Sequence, residues 1–226
     1  MANEDFYGIG ENVFVVADGL GGHNAGDVAS QLAVSTVLDH MAGGLAGAEQ
    51  LGAAVQEANR VIHAAAASNP PLKGMATTVT ALAPVAGETN LVAVANVGDS
   101  RTSIYRVGDF YRISIDHSRV QELVDAGEIN PDKAWGHPDS NILTRAVGIE
   151  PMVEVDVFQF PVQHGDRFIL CTDGLIDEVR EEDIAEALWR HRDPQVCADA
   201  LVDLANAAGG HDNITVMVVD VAIQPA

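Results

Sequence analysis

Basic residues are scarce in this chain. Twelve Lys and Arg stand against 33 Asp and Glu in 226 residues, a formal net charge of −21. Nucleic acid and anionic membranes both call for a basic footprint, so neither is expected as a partner. Only two cysteines occur, Cys171 and Cys197. They lack the spacing of a metal or redox motif and lie in apolar segments, which predicts two reduced core thiols. No apolar stretch reaches roughly 18 residues, and no apolar run follows a basic start, so neither a membrane span nor a secretory leader is read. A cytoplasmic protein is expected. Internal repeats, linkers and low-complexity segments are also missing.

Hydrophobic residues make up 47% of the chain, a globular composition long enough for one large domain over residues 1–226. Apolar periodicity predicts a buried strand over 12–18. Helices follow over Asp27–Met41 and around Leu51, Val55, Ala58 and Ile62, the second stopped by Pro70-Pro71. Strands are then expected at Thr77–Ala83, Leu91–Val97, Thr102–Val107 and Tyr111–Ile115. Turns at 87–90 and Gly108-Asp109 would make them antiparallel hairpins. Residues 117–147 break that rhythm: a helix to Ala126, then an irregular insert punctuated by Pro131, Trp135 and Pro138. Val153, Val155 and Val157 alternate with acids as a half-wet strand, helices are expected at about 181–191 and 194–208, and Ile214–Val221 closes as a strand.

Aspartates punctuate the strand ends. Asp18 follows Val13–Ala17, Asp99 follows Leu91–Gly98, Asp173 follows Phe168–Thr172, and Asp212 precedes Ile214–Val219. A carboxylate at the mouth of a buried strand is costly unless something pairs with it, and hard divalent cations are the obvious candidates. A single Asp-Gly would signal only a hairpin turn. The glycine-rich run Asp18-Gly19-Leu20-Gly21-Gly22-His23-Asn24-Ala25-Gly26 lacks the Lys-Ser/Thr of a nucleotide-binding loop. Its glycines instead let a backbone carbonyl, such as that of Gly19, turn inward beside Asp18.

The order of the blocks is more specific than any one of them. Asn3-Glu4-Asp5 is followed by Asp18–His23, Gly74-Met75-Ala76-Thr77-Thr78, Gly98-Asp99-Ser100-Arg101 and Asp116-His117-Ser118. Asn141–Gly148, Cys171-Thr172-Asp173-Gly174 and Gly209-Gly210-His211-Asp212-Asn213 complete the set. In this order the chain resembles the metal-dependent protein phosphatases of the 2C type, most closely their bacterial branch. The resemblance implies an α+β fold, a four-layer α-β-β-α sandwich with two central antiparallel sheets flanked by helix pairs. It implies two Mn²⁺ or Mg²⁺ ions, with a third at a further position. Asp18 would bridge the two metals, with the Gly19 carbonyl on one. Asp173 and Asp212 would hold the other, Glu4 would act through water, and Asp5 would stand behind the direct ligands. Asp99 with Asp173 matches the third-ion position. A hydroxide held between the ions would attack the phosphorus of phosphoserine or phosphothreonine, and His23 would protonate the leaving oxygen or contact substrate.

The partners so implied are phosphoproteins, including a Ser/Thr kinase and its substrates, met by a monomer. Residues 117–147 match the family's variable flap, read as tuning substrate access. Arg101 and Arg145 are expected to brace motif loops, and Thr77, Thr78 and Asn213 to supply framework hydrogen bonds. The chain departs from the family at its start, where an N-terminal strand carrying a phosphate-clamping arginine is expected and not found. An exposed sheet edge and a raised KM would follow. Two other readings stay open: a catalytically weak phosphatase-like domain that binds a partner, and a hydrolase of small phosphoesters.

Overall fold

The computed structural model describes residues 2–20, 25–43 and 47–223. Short apolar runs separated by turns form strands, and the longer stretches with helical spacing form helices, in the order that follows. The chain runs β1 (Phe6–Ile9), β2 (Phe14–Ala17), β3 (Gly19–Leu20), α1 (Gly26–Met41), α2 (Ala48–Ser68), β4 (Ala76–Thr77) and β5 (Val79–Pro84). It continues through β6 (Leu91–Val97), β7 (Arg101–Arg106), β8 (Asp109–Arg112), α3 (Arg119–Asp125), β9 (Asp156–Pro161) and β10 (Arg167–Cys171). The last elements are α4 (Asp173–Ile176), α5 (Glu181–Arg190), α6 (Pro194–Ala208) and β11 (Val216–Asp220). Local chemistry sets several boundaries. Asp193 caps α6 by accepting from the Gln195 and Val196 amides at 2.9 and 3.0 Å, with Pro194 at the first helical position.

Two antiparallel sheets result, one ordered β1-β2-β5-β6-β9 and the other β11-β10-β7-β8. The period-two alternation of strand side chains assigns each residue its layer. Val16, Leu82 and Val94 from the first sheet meet Ile104, Phe168 and Leu170 from the second in a dry interior. On the outer face of the first sheet, Val15, Ala81 and Ala95 pack under Val34, Val55 and Ile62 of α1 and α2. Ile169 and Cys171 face the other way, into Ile184, Leu188 and Leu201 of α5 and α6. The expected four-layer α-β-β-α sandwich is present.

Register then decides where the acids go. Phe6 pairs with Ala17, and Val16 with Thr80, so the start of β1, the end of β2 and the start of β5 share one edge. Val79 pairs with Val97, and Cys171 pairs with both Arg101 and Val216. Asp5, Asp18, Asp99, Asp173 and Asp212 therefore all leave their strands at the same end of the sandwich.

Three local expectations need correction. The strand read over Val153–Val157 begins at Asp156, while Val153 and Val155 are half-buried against the helix-side core. Packing against that core takes precedence over their alternation. The last strand is likewise shorter than expected, covering Val216–Asp220. The turn after β7 is Val107-Gly108 rather than Gly108-Asp109, since Arg106 pairs with Asp109. β1 was not anticipated because it is a four-residue edge strand with Phe6, Tyr7 and Ile9 exposed. At the far edge of the other sheet lies β11.

The Val107-Gly108 hairpin carries strain. Both residues have positive φ, 50° at Val107 and 100° at Gly108, a geometry that disfavours a β-branched side chain. Val107 is 93% exposed, so no packing compensates. Val107→Asn is expected to raise stability by about 1 kcal/mol, or roughly 2–4 °C in Tm. Thermal unfolding of the two proteins checks this; a lower Tm for the variant would contradict the turn assignment.

Candidate metal centre

Hydrogen bonds pin the backbone under the strand-end acids and leave their carboxylates to face one another. The Asp18 carbonyl accepts from the Thr78 amide at 2.8 Å and from Thr77 Oγ1 at 2.7 Å, while its own amide donates to Thr78 Oγ1 at 3.0 Å. Thr78 Oγ1 also meets Ser100 Oγ at 2.7 Å, which bolts the Asp18 turn to the turn bearing Asp99. Thr172 Oγ1 donates to Asp5 Oδ2 at 2.9 Å and accepts from the Thr215 amide at 3.0 Å. Asn213 Oδ1 takes the Glu4 amide at 2.8 Å. The N-terminal segment is thereby fastened across β10 and β11, and Thr77, Thr78 and Asn213 supply the framework bonds expected of them.

The acids themselves are crowded. Asp5 and Asp99 are only 8% and 7% exposed. Burial, then the charges of Asp173 and Asp5, push the Asp18 carboxyl up to about 11. Burial likewise raises Asp5, Asp99 and Asp173, with Asp212 adding repulsion to Asp5 and Asp173. Asp18 and Asp173 each oppose the ionisation of the other acids around them, so the cluster as a whole resists full deprotonation, with Asp18 raised furthest toward the protonated form.

Glu4 stands slightly apart. A Cβ placed on Gly26 would meet Glu4 Oε2 at 2.6 Å and the Gly19 carbonyl oxygen at 2.8 Å, so these two oxygens lie side by side at the start of α1. Asp212 is exposed, its Oδ1 accepting from the Asn213 amide at 2.7 Å. His23 lies outside the described residues.

The donor set fits a hard divalent cation. All the donors are oxygens, and Asp5 Oδ1 and Asp173 Oδ1 are buried with no hydrogen-bond partner. Among the described residues no three His, Cys, Asp or Glu side chains already form a closed set for an ion. Thiolate ligation is excluded: Cys171 is buried toward α5 and α6, and burial pushes its thiol up to about 12.

A cleft of about 630 Å³ opens from Asp99 and Asp173 and runs between the 117–147 insert and the segment after α4. On one wall Arg101 grips Asp116 with both Nε and Nη2, the latter at 2.6 Å, and Arg112 Nη1 reaches the same carboxylate at 3.1 Å. Trp135 anchors the tip of the insert. Its Nε1 donates to the Ile176 carbonyl at 3.0 Å, and the Arg180 guanidinium stacks 4.2 Å from its ring centre. Asp177, in the same cleft, is pushed up to about 6 by burial and by the Asp173 charge. Sequence reading passed over Asp177, although it follows Asp173 by one helical turn. Arg145 braces its loop through Asp156 Oδ1 at 2.6 Å. Burial and that arginine push His117 below its ordinary value, so its ring is neutral. His137 accepts from the Asp139 amide at 3.1 Å, and His211 pairs with Glu178 at 2.6 Å.

Carboxylates gathered at one edge of two helix-backed antiparallel sheets define a metal-dependent phosphatase architecture. The protein phosphatase 2C family profile matches residues 3–205, and the chain belongs to that family. It is 42% identical to the serine/threonine phosphatase stp of Listeria innocua, over 96% of this chain and 90% of that protein. The crystal structure of the Mycobacterium tuberculosis serine/threonine phosphatase PstP/Ppp superposes with a TM-score of 0.88 at 38% identity, covering 98% of this chain and 93% of that one. The catalytic domain of PstP in complex with 2 manganese ions superposes with a TM-score of 0.87 at 38% identity, over 98% and 92% of the two chains.

The proton on Asp18 has a thermodynamic signature. Folding raises its pKa, so the stability the proton brings is complete below about pH 4 and is lost as pH rises toward 11. Asp18→Asn imitates the protonated side chain at every pH. In EDTA the variant is expected to melt several degrees above the parent at pH 8, with a smaller gap at pH 5. An equal gap at both pH values would contradict the raised Asp18 pKa.

Proposed function

We propose that this chain hydrolyses phosphoserine and phosphothreonine in proteins with the help of Mg²⁺ or Mn²⁺ held by its strand-end aspartates. The observation that carries the reading is the convergence of Asp5, Asp18, Asp99 and Asp173 from four separate segments, two of them with an unpartnered buried oxygen. The relatives named as serine/threonine phosphatases and the PstP complex with 2 manganese ions support it.

In this reading Asp18 and the Gly19 carbonyl would hold one divalent ion, and Asp18 with Asp173 and Asp212 a second. Glu4 acts through water beside Gly19. Asp5, held by Thr172, orders the oxygens around Asp18 and Asp173. Asp99 and Asp173 together face a third position. Divalent ions bound there would acidify water for attack on phosphorus and offset charge on the phosphoryl oxygens. The water oxygen bonds to phosphorus as the bond to the serine or threonine oxygen breaks. His23 is the proposed donor of the proton that the departing oxygen takes up. The substrates are phosphoproteins, a Ser/Thr kinase among them, and a cytoplasmic site of action belongs to the same reading.

The test is a Mn²⁺ titration of phosphothreonine-peptide and p-nitrophenyl phosphate hydrolysis. Metal-dependent turnover of both is expected, lowered by at least about 100-fold in Asp173→Ala and Asp212→Ala. Turnover of the aryl phosphate alone would favour a small-phosphoester hydrolase, and no turnover a partner-binding domain. Trp135 fixes the insert tip over the cleft, so replacing residues 130–138 is expected to change selectivity among phosphoproteins more than the aryl phosphate rate. Equal effects on both would remove the insert from substrate choice.

A further inference from the structure

We propose that His117 is the positioning residue for the Gly98-Asp99 turn and ties that turn to the base of the 117–147 insert. The inference rests on reading Asp99 as a cation ligand.

Both backbone groups of Gly98 are held by this one residue. The His117 amide donates to the Gly98 carbonyl at 2.9 Å, and the Gly98 amide donates to His117 Nδ1 at 3.0 Å. Gly98 has φ of 102°, and a Cβ there would meet Thr78 Cβ at 2.6 Å, so the close approach of this turn to Thr78 requires glycine, and glycine's own freedom leaves the turn to be fixed by its hydrogen bonds. Asn96 Nδ2 adds a bond of 3.2 Å to the same Gly98 carbonyl. The direction in which Asp99 leaves the turn therefore depends on where the imidazole sits.

The other side of the ring faces different chain segments. Because Nδ1 accepts from Gly98, the ring proton is on Nε2, which faces Asp156 Oδ2 at 3.3 Å. Arg145 Nη1 donates to the same carboxylate through Oδ1 at 2.6 Å. The His117 carbonyl accepts the Thr144 amide at 2.9 Å. One buried side chain thus joins the Asp99 turn, the end of the insert and the start of β9. A displacement of the insert at Thr144–Arg145 reaches Asp99 through a single ring.

Two isosteric variants separate the arms of this contact. The Asn side chain in His117→Asn still offers an oxygen near the Nδ1 position, whereas His117→Gln reaches toward the Nε2 position and leaves the Gly98 amide without its acceptor. The readouts are Gly98 amide exchange by NMR in EDTA and the Mn²⁺ binding isotherm of each protein. In His117→Gln the Gly98 amide is expected to exchange at least about 10-fold faster, and one Mn²⁺ binding step to weaken by about 10–100-fold while the tighter steps stay within about 2-fold. His117→Asn is expected to keep the protection and most of the affinity. Equal isotherms for the two variants, or a parallel weakening of every step, would overturn the assignment and leave His117 a packing residue. If the parent protein bound no Mn²⁺, the ligand reading of Asp99 would fail along with it. Intact Gly98 protection in His117→Gln would sink the clamp alone.

Discussion

Repulsion among buried carboxylates is the constraint around which this fold is arranged. Asp5, Asp18, Asp99 and Asp173 are brought together at one edge with too little water to screen them, and Asp212 adds its charge from the rim. A fold that only needed to be stable would not place them so. Burial and mutual repulsion push the carboxyls of Asp5, Asp18, Asp99 and Asp173 up, and two buried carboxylate oxygens lack a partner. The rest of the molecule keeps the arrangement from relaxing. Antiparallel register fixes which strand ends coincide, the sandwich interior holds the two sheets together, and Thr77, Thr78, Ser100, Thr172 and Asn213 lock the backbone beneath each acid.

The scarcity of basic residues acquires a purpose in that light. Arg101 and Arg112 are engaged by Asp116, Arg106 by Asp166, Arg145 by Asp156 and Arg167 by Asp220. Of these only Arg101 bears on the edge aspartates, offsetting part of the charge at Asp99, and its bidentate grip is on Asp116. The arginines brace loops: Arg167 also donates to the carbonyls of Leu188 and Arg192, which seats the end of α5 on β10. The carboxylate cluster is left to cations from solution, and a net charge of −21 favours their approach.

Much of this was legible in the sequence because the signals were periodic or punctuated. Helical spacing marked α1, α2, α5 and α6, and an aspartate directly after an apolar run marked Asp18 and Asp173. What escaped notice depended on partners distant in the chain. β1 has no apolar alternation of its own and exists because Phe6–Ile9 pairs with Phe14–Ala17. Asp177 takes its character from burial beside Asp173, and His117 from a turn 19 residues away, so neither has a local signature. Val153 and Val155 carry strand-like alternation yet serve as packing against the helix-side core, where tertiary contact outweighs local pattern.

The central claim is that the edge cluster is a divalent-cation site centred on Asp18. Anomalous diffraction at the manganese edge from crystals grown in Mn²⁺ tests it without reference to turnover. The account predicts at least two peaks ligated by Asp18, one of them also ligated by Asp173 and Asp212. Crystals with manganese bound elsewhere, and no peak at Asp18, would contradict it.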